Sequence, residues 1–177
     1  MVSAAVKPLA VTRRVPKRFL DADGGVSPDL LTFLGAVSLV AISTAGYFVW
    51  DFPHWFCFAL NTLALHLVGT VIHDASHHSA HKNKTINAAL GHGSALMLGF
   101  TFPVFMRVHL QHHANVNDPE NDPDHFVSTG GPLWLIAARF FYHEIYFFQR
   151  RLWKKYELLE WVLSRLTVAG FVYAAYH

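Results

Sequence analysis

A single cysteine, Cys57, occurs in 177 residues, which excludes an internal disulfide and any zinc site built on thiolates. It sits within an apolar run and is read there as a small apolar residue. Charge is also scarce. Only 15% of residues are charged and the net charge is +2, so nothing suggests nucleic-acid binding. Lysine and arginine are missing altogether between Arg18 and Lys82. The N-terminus lacks the shape of a signal peptide, because a polar, proline-containing stretch precedes the first long apolar run. That stretch is poor in serine and carries Asp21, Asp23 and Asp29, which argues against a transit peptide. No internal repeat or low-complexity tract stands out.

What is present is apolar. Hydrophobic residues make up 53% and aromatics 15% of the chain, too much for an ordinary soluble domain. Leu30 to Trp50 is uncharged and long enough, at about 1.5 Å per residue, to cover a hydrocarbon core of roughly 30 Å. Asp51-Phe-Pro53 breaks it, and a second apolar run extends from His54 to Ile72. Tyr47, Trp50, Phe52 and Trp55 gather at the break, as in an interfacial aromatic belt. Lys7, Arg13, Arg14, Lys17 and Arg18 precede the pair, while the turn has no basic residue. The positive-inside rule therefore predicts a hairpin with both outer ends on the cytoplasmic side.

A third run, Ile86 to Met106, could also cross by length. Lys82 and Lys84 before it and Arg107 after it place both ends on one face. Gly91, Gly93, Gly99 and Pro103 interrupt it, so it is expected to be embedded and bent without crossing. The aromatic-rich stretch Pro132 to Gln149 is expected along the interface. A basic cluster follows (Arg150, Arg151, Lys154, Lys155), and Trp161 to Tyr176 reads as the start of another span. The expected fold is an all-α membrane protein: a transmembrane helical hairpin plus interfacial and re-entrant helices, truncated before the remaining transmembrane helices. Residues 1–28 are expected to form a flexible basic tail, and residues 29–177 the N-terminal part of one membrane domain.

Two histidine clusters stand at the ends of these apolar runs, His73-Asp-Ala-Ser-His77-His78 and His109-Leu-Gln-His112-His113. On a helix, positions four apart differ by about 40° and positions three apart by about 60°, so His73 and His77 share a face. His109, His112 and His113 share another. Such faces can turn several imidazole nitrogens toward one metal, and a thiolate-free set suits iron, zinc or copper. His73, His77, His109, His112 and His113 are therefore the candidate ligands. His78, His81, Asp74 and His125 are candidates for an additional ligand or an outer support, Asp74 by accepting the outer N–H of a ligating ring. The acidic run Asp118-x-Glu120-x-Asp122-x-Asp124 faintly resembles a calcium loop. Pro119, Pro123 and the missing central glycine favour turn formation and electrostatic support of the metal site instead. His54, His66, His92 and His143 are isolated and read as structural, and Asn115 and Asn117 as turn residues. A zinc protease needs HExxH, but Asp74 and Leu110 stand where its glutamate belongs.

The two clusters resemble the HxxxH and first HxxHH boxes of the integral-membrane fatty-acid desaturase/hydroxylase superfamily. The longer context is similar to the desaturase-related β-carotene hydroxylases of cyanobacterial type. It comprises HDASHHSAH, GHGSALMLGF, RVHLQHHANVNDPENDPDHF with STGGPLW, and FFYHEIYFFQRRLWKKYELLEW. The resemblance runs from about Leu30 to the end, and it lacks the family's third box. It implies a non-haem di-iron centre on the cytoplasmic side of a plasma or thylakoid membrane. It further implies O2 as co-substrate, a ferredoxin-like electron donor, and hydroxylation of the β-ionone ring from β-carotene to β-cryptoxanthin and zeaxanthin. With two boxes only, residues 1–177 alone are expected to be inactive. An acyl-lipid desaturase of the same superfamily is the nearest rival. From another class, a membrane haem protein with two axial histidines would need histidines facing each other across two spans.

Overall fold

The computed structural model describes residues 26–129 and 131–176, so the expected N-terminal tail falls almost wholly outside the described residues. Among these, all regular structure is helical: eight α-helices and one 3-10 turn. Helix α1 spans Pro28–Val49 and α2 spans His54–Ser76. Ser27 caps α1, its Oγ accepting the Leu30 N–H at 3.1 Å, and Pro28 occupies the first turn, where no N–H is required. Both helices are long and apolar enough to cross a membrane. The turn between them holds Asp51 at a φ of 52°. Trp50 and Trp55 are exposed around it.

Small residues let α1 and α2 approach closely. Ala36, Ser43 and Gly46 are buried on α1 and Ala64 and Val68 on α2. Gly46 has no substitute, because the Phe52 ring occupies the place of a Cβ. Polar ties cross the pair: Asn61 Nδ2 donates to Ser43 Oγ at 2.9 Å, and Ser43 Oγ donates to the Cys57 carbonyl at 3.3 Å. Cys57 is buried within this contact.

The third apolar run is broken as expected. Helix α3 (Lys84–Leu98) and helix α4 (Phe102–Ala114) meet at 97°, with Gly99 capping α3 at a φ of 80°. Phe102 lies against Gly91, where a Cβ would sit 2.5 Å from its ring, so the glycine permits the fold-back. The bend lets α2, α3 and α4 share a core of Val71, Ile72, Ala75, Leu90, Ala95 and Phe102.

The acidic loop leads into α5 (Pro123–Thr129), and the aromatic stretch Pro132 to Gln149 resolves into the 3-10 turn Leu133–Leu135, α6 (Ile136–Arg139) and α7 (Tyr142–Gln149). Tyr146 and Phe147 of α7 bury against Val104 and Val108 of α4. The last apolar segment departs from expectation. It is one 22-residue helix, α8 (Lys155–Tyr176), beginning well before Trp161, and it is not among the helices apolar enough to cross. Glu157, Glu160 and Arg165 lower its hydropathy, and each of the three is paired with protein. Arg107 forks onto the buried Glu157 at 2.7–3.1 Å, Glu160 meets His92 Nδ1 at 2.7 Å, and Arg165 donates to the Gly99 carbonyl at 2.6 Å. His92 thus has the partner that a polar group in an apolar segment requires. His66 lies exposed on α2.

Candidate metal centre

The C-terminal end of α2 delivers the first histidine cluster and the last turns of α4 deliver the second. Two fixtures set their meeting. Asn87, buried on α3, donates from Nδ2 to the Ala75 carbonyl at 2.9 Å and accepts the His81 N–H at 3.3 Å. This pins the turn after α2. On α4, the Arg107–Glu157 fork fixes the helix two residues before His109.

Four rings converge as a result. His77 Nε2 lies 3.0 Å from His109 Nε2, and His113 Nε2 lies 3.1 Å from the same atom. His73 completes the group, its ring centroid 4.9 Å from that of His77 and 4.7 Å from that of His109. One nitrogen from each of His73, His77, His109 and His113 falls within 4.8 Å of all the others, a set that could hold a metal ion. The two boxes, read as separate faces in the sequence, form one cluster. Burial, with His73 and His113 close by, lowers the pKa of His77, which favours the neutral ring a metal needs.

Outer partners set the tautomers. Asp74 Oδ1 accepts from His73 Nδ1 at 2.8 Å, the arrangement anticipated for it, and leaves Nε2 of His73 for the cluster. His112 departs from the other four. It stands outside the close group, its Nδ1 bonded to Asp122 Oδ1 at 2.8 Å with Asp124 Oδ2 at 3.5 Å. His112, Asp122 and Asp124 form a second cluster that could hold a cation by distance alone. Its hydrogen bonds describe a clasp instead. Asp122 Oδ1 also accepts the Asp124 N–H at 2.9 Å, and Oδ2 accepts the Asn117 N–H at 2.8 Å. Both oxygens of this buried carboxylate are occupied, and the Nε2 edge of His112 is left for a ligand.

The remaining candidates lie elsewhere. His78 adopts a left-handed φ of 59° in the turn after α2 and is exposed. His81 Nδ1 accepts the Asn83 N–H at 2.9 Å, a turn-forming bond. His125 belongs to α5, where its carbonyl accepts the Ser128 hydroxyl at 3.1 Å. None of the three enters either cluster. Asn115 caps α4, and Asn117 turns the chain at a φ of 64°.

His143, read from the sequence as an isolated structural residue, is part of this surround. Its Nε2 donates to Asp124 Oδ1 at 2.8 Å. Its one sequence signal was a polar residue within an apolar, aromatic stretch, which demands a partner without naming one. Beside it, a cavity of about 380 Å³ reaches His109 and is walled by Phe105, Val108, Phe140 and Phe141, with Glu144 and Arg165 contributing charge. Phe105 stacks on the His109 ring at 5.3 Å and brings an apolar wall directly against the cluster.

The acidic loop carries its charge cheaply. The His143 hydrogen bond, outweighing burial, lowers the pKa of Asp124 below the ordinary 3.8. Burial works to raise Asp122, but the bonds from His112, Asn117 and Asp124 prevail and lower it. Asp118 is lowered by the Asn121 amide and the backbone N–H groups it caps. Carboxyls with depressed folded pKa values stabilise fully above the unfolded value and lose that contribution as pH falls through the folded one. Hydrogen-exchange protection of residues 115–125, corrected for intrinsic rate, should therefore hold from pH 7 to about 5 and collapse below about 4. Collapse between pH 7 and 5 would contradict the clasp.

Residues 29–177 match the family model described as fatty acid desaturase. No curated protein and no solved structure matches the chain. The match covers the hairpin, the fold-back and both histidine clusters, so the chain belongs to the fatty acid desaturase family.

Proposed function

We propose that the protein is a membrane di-iron oxidoreductase that hydroxylates the β-ionone ring of carotenoids, carrying β-carotene to β-cryptoxanthin and zeaxanthin. The observation that carries the metal part is the convergence of four imidazole nitrogens within 4.8 Å of one another beside an apolar cavity. The donor set fits iron: it is all nitrogen, free of thiolate, and held by outer carboxylates on two of the box histidines, His73 and His112. His73, His77, His109 and His113 would hold one ion, with His112 contributing from the edge toward a second. Bound iron would supply the oxidising power to insert an oxygen atom from O2 into an unactivated C–H bond, with electrons from a ferredoxin-like donor.

The chain's own part is placement and exclusion of water. Phe105, Val108, Phe140 and Phe141 line a space within the range of small-molecule sites, large enough for one ring of a long hydrocarbon. Glu144, held by the Trp161 indole at 3.2 Å and Arg165 at 3.3 Å, closes the wall on the α8 side. The carotenoid assignment rests on the sequence context between and after the boxes. An acyl-lipid desaturase is the second reading, and the family match is equally consistent with it. A haem with two axial histidines is disfavoured, because four imidazole nitrogens converge here on one point instead of two facing each other across a pair of spans.

Expression of the complete coding sequence in β-carotene-producing cells, with a compatible ferredoxin system, tests the substrate. β-Cryptoxanthin and zeaxanthin are expected. Altered acyl unsaturation with untouched β-carotene would replace the carotenoid reading with the desaturase one.

The proposal places both boxes on the cytoplasmic face. Lys82→Cys and Val116→Cys, each in a Cys57→Ser background, should label with an impermeant thiol reagent from the cytosolic side alone. Labelling from the other side would reverse the topology, and labelling from opposite sides would separate the boxes.

A further inference from the structure

The acidic loop is held by one stripe of α7 and its C-cap Arg150. His143 Nε2 donates to Asp124 Oδ1 at 2.8 Å, Tyr146 Oη to the Asn121 carbonyl at 2.8 Å, and Arg150 Nη2 to the Glu120 carbonyl at 2.8 Å. Positions 143, 146 and 150 follow the i, i+3, i+7 spacing of a single helix face. Of these three, His143 alone lines the cavity that reaches His109. Its ring is held edge-on against Phe140 at 5.1 Å, and Phe140 is itself cavity wall. Asp124 passes the contact inward. Its Oδ2 lies 3.5 Å from His112 Nδ1, and its N–H donates to the same Asp122 oxygen that holds His112.

We propose that His143 is a positioning residue that couples occupancy of the apolar cavity to the geometry of the metal centre, through Asp124 and His112. The proposal rests on the di-iron reading above and adds a second link between its two halves, beside the direct contact of the cavity with His109. An occupant pressing on the Phe140–His143 wall moves a carboxylate that orients a candidate ligand. Coupling of this kind is reciprocal, so metal in the centre also changes how tightly the cavity binds. The consequence for the enzyme is that the centre reaches its working arrangement when a ring is seated.

The test uses the full protein in detergent, loaded with Co2+ as a spectroscopic probe, and β-ionone as the cavity occupant. In the unsubstituted protein, β-ionone should shift the Co2+ ligand-field bands. His143→Phe keeps a ring against Phe140 but removes the bond to Asp124. It should bind Co2+ with affinity reduced by up to about 10-fold, the low end for loss of an outer support. Its bands should respond to β-ionone clearly less than the parent's, the remainder coming from the direct contact of the cavity with His109. His143→Gln, which restores an N–H donor, should recover part of the response. Asp124→Asn should weaken it likewise, which gives a second route should His143→Phe fail to fold. Bands that respond equally in His143→Phe and the parent would overturn the proposal. So would a parent whose bands ignore β-ionone while Co2+ stays bound. Failure of the metal reading looks different: the parent would bind no Co2+, or His109→Ala would leave the bands unchanged.

Discussion

Replacing His109 with alanine should remove bound metal and abolish product formation. Its Nε2 stands 3.0 Å from that of His77 and 3.1 Å from that of His113, making it the hub where the two boxes touch. Loss of an outer support typically costs about 10–100-fold in metal affinity or activity, and loss of this ring should exceed that range. His73→Ala, His77→Ala, His112→Ala and His113→Ala should also lose product. His54→Ala should be mild, because that ring sits at the far end of α2 against Tyr47, 5.5 Å between centroids. The measurements are iron per chain and hydroxylated carotenoid per cell. Normal activity in most of the five box variants would refute the ligand assignment. Stability of each variant, followed by thermal unfolding, separates ligand loss from misfolding.

Asp122→Ala should come next in effect, although Asp122 touches no proposed iron. This side chain is 3% exposed and receives three donors: His112 Nδ1, the Asp124 N–H and the Asn117 N–H. Alanine removes the acceptor from all three, at about 1–3 kcal/mol for a donor that stays buried, although Asn117 is exposed and its N–H can turn to water. His112 is then free to rotate or change tautomer. Iron affinity should drop by about 10–100-fold, and the loop from Asn115 to Asp124 should become sensitive to protease. Asp122→Asn, which offers one acceptor oxygen, should fall between alanine and the parent. An Asp122→Ala protein with parental iron content and an intact loop would show that His112 is oriented by something else.

Features set by local spacing could be read from the sequence, and those set by long-range contact could not. The hairpin followed from two uncharged runs and a Pro-containing break. The fold-back followed from Gly91, Gly99 and Pro103 together with basic residues at both ends. Asp74 lies between the box histidines at the end of α2, so an outer bond to a ligating ring was one of two readings open to it, and it forms with His73. His143 and Asp124 are 19 residues apart and belong to different short helices, so no periodicity links them. Arg107 and Glu157 are 50 apart, and their pairing depends on where α8 docks. His112 illustrates the finer limit. Helical spacing put it on the face of His109 and His113, which is correct for the backbone, yet the acidic loop turns its ring toward Asp122. The start of α8 was missed for a similar reason. Glu157 and Glu160 lie outside the apolar run Trp161 to Tyr176 and Arg165 lies within it, yet all three belong to one helix, each matched by a partner on α3, α4, α7 or the bend between α3 and α4.

The 97° turn between α3 and α4 also sets a schedule for biosynthesis. The ribosome delivers α1 and α2 first, so His73 and His77 reach the membrane surface alone. His109 emerges 32 residues after His77, which is about 2–6 s at usual elongation rates of about 5–20 residues per second. Until α4 folds back, only two of the four imidazoles of the proposed ion site are in place. Asp122 and His143 emerge later still, so the surround closes around the centre from the C-terminal side. Iron supplied to cells after a pulse of synthesis should therefore load as completely as iron present throughout.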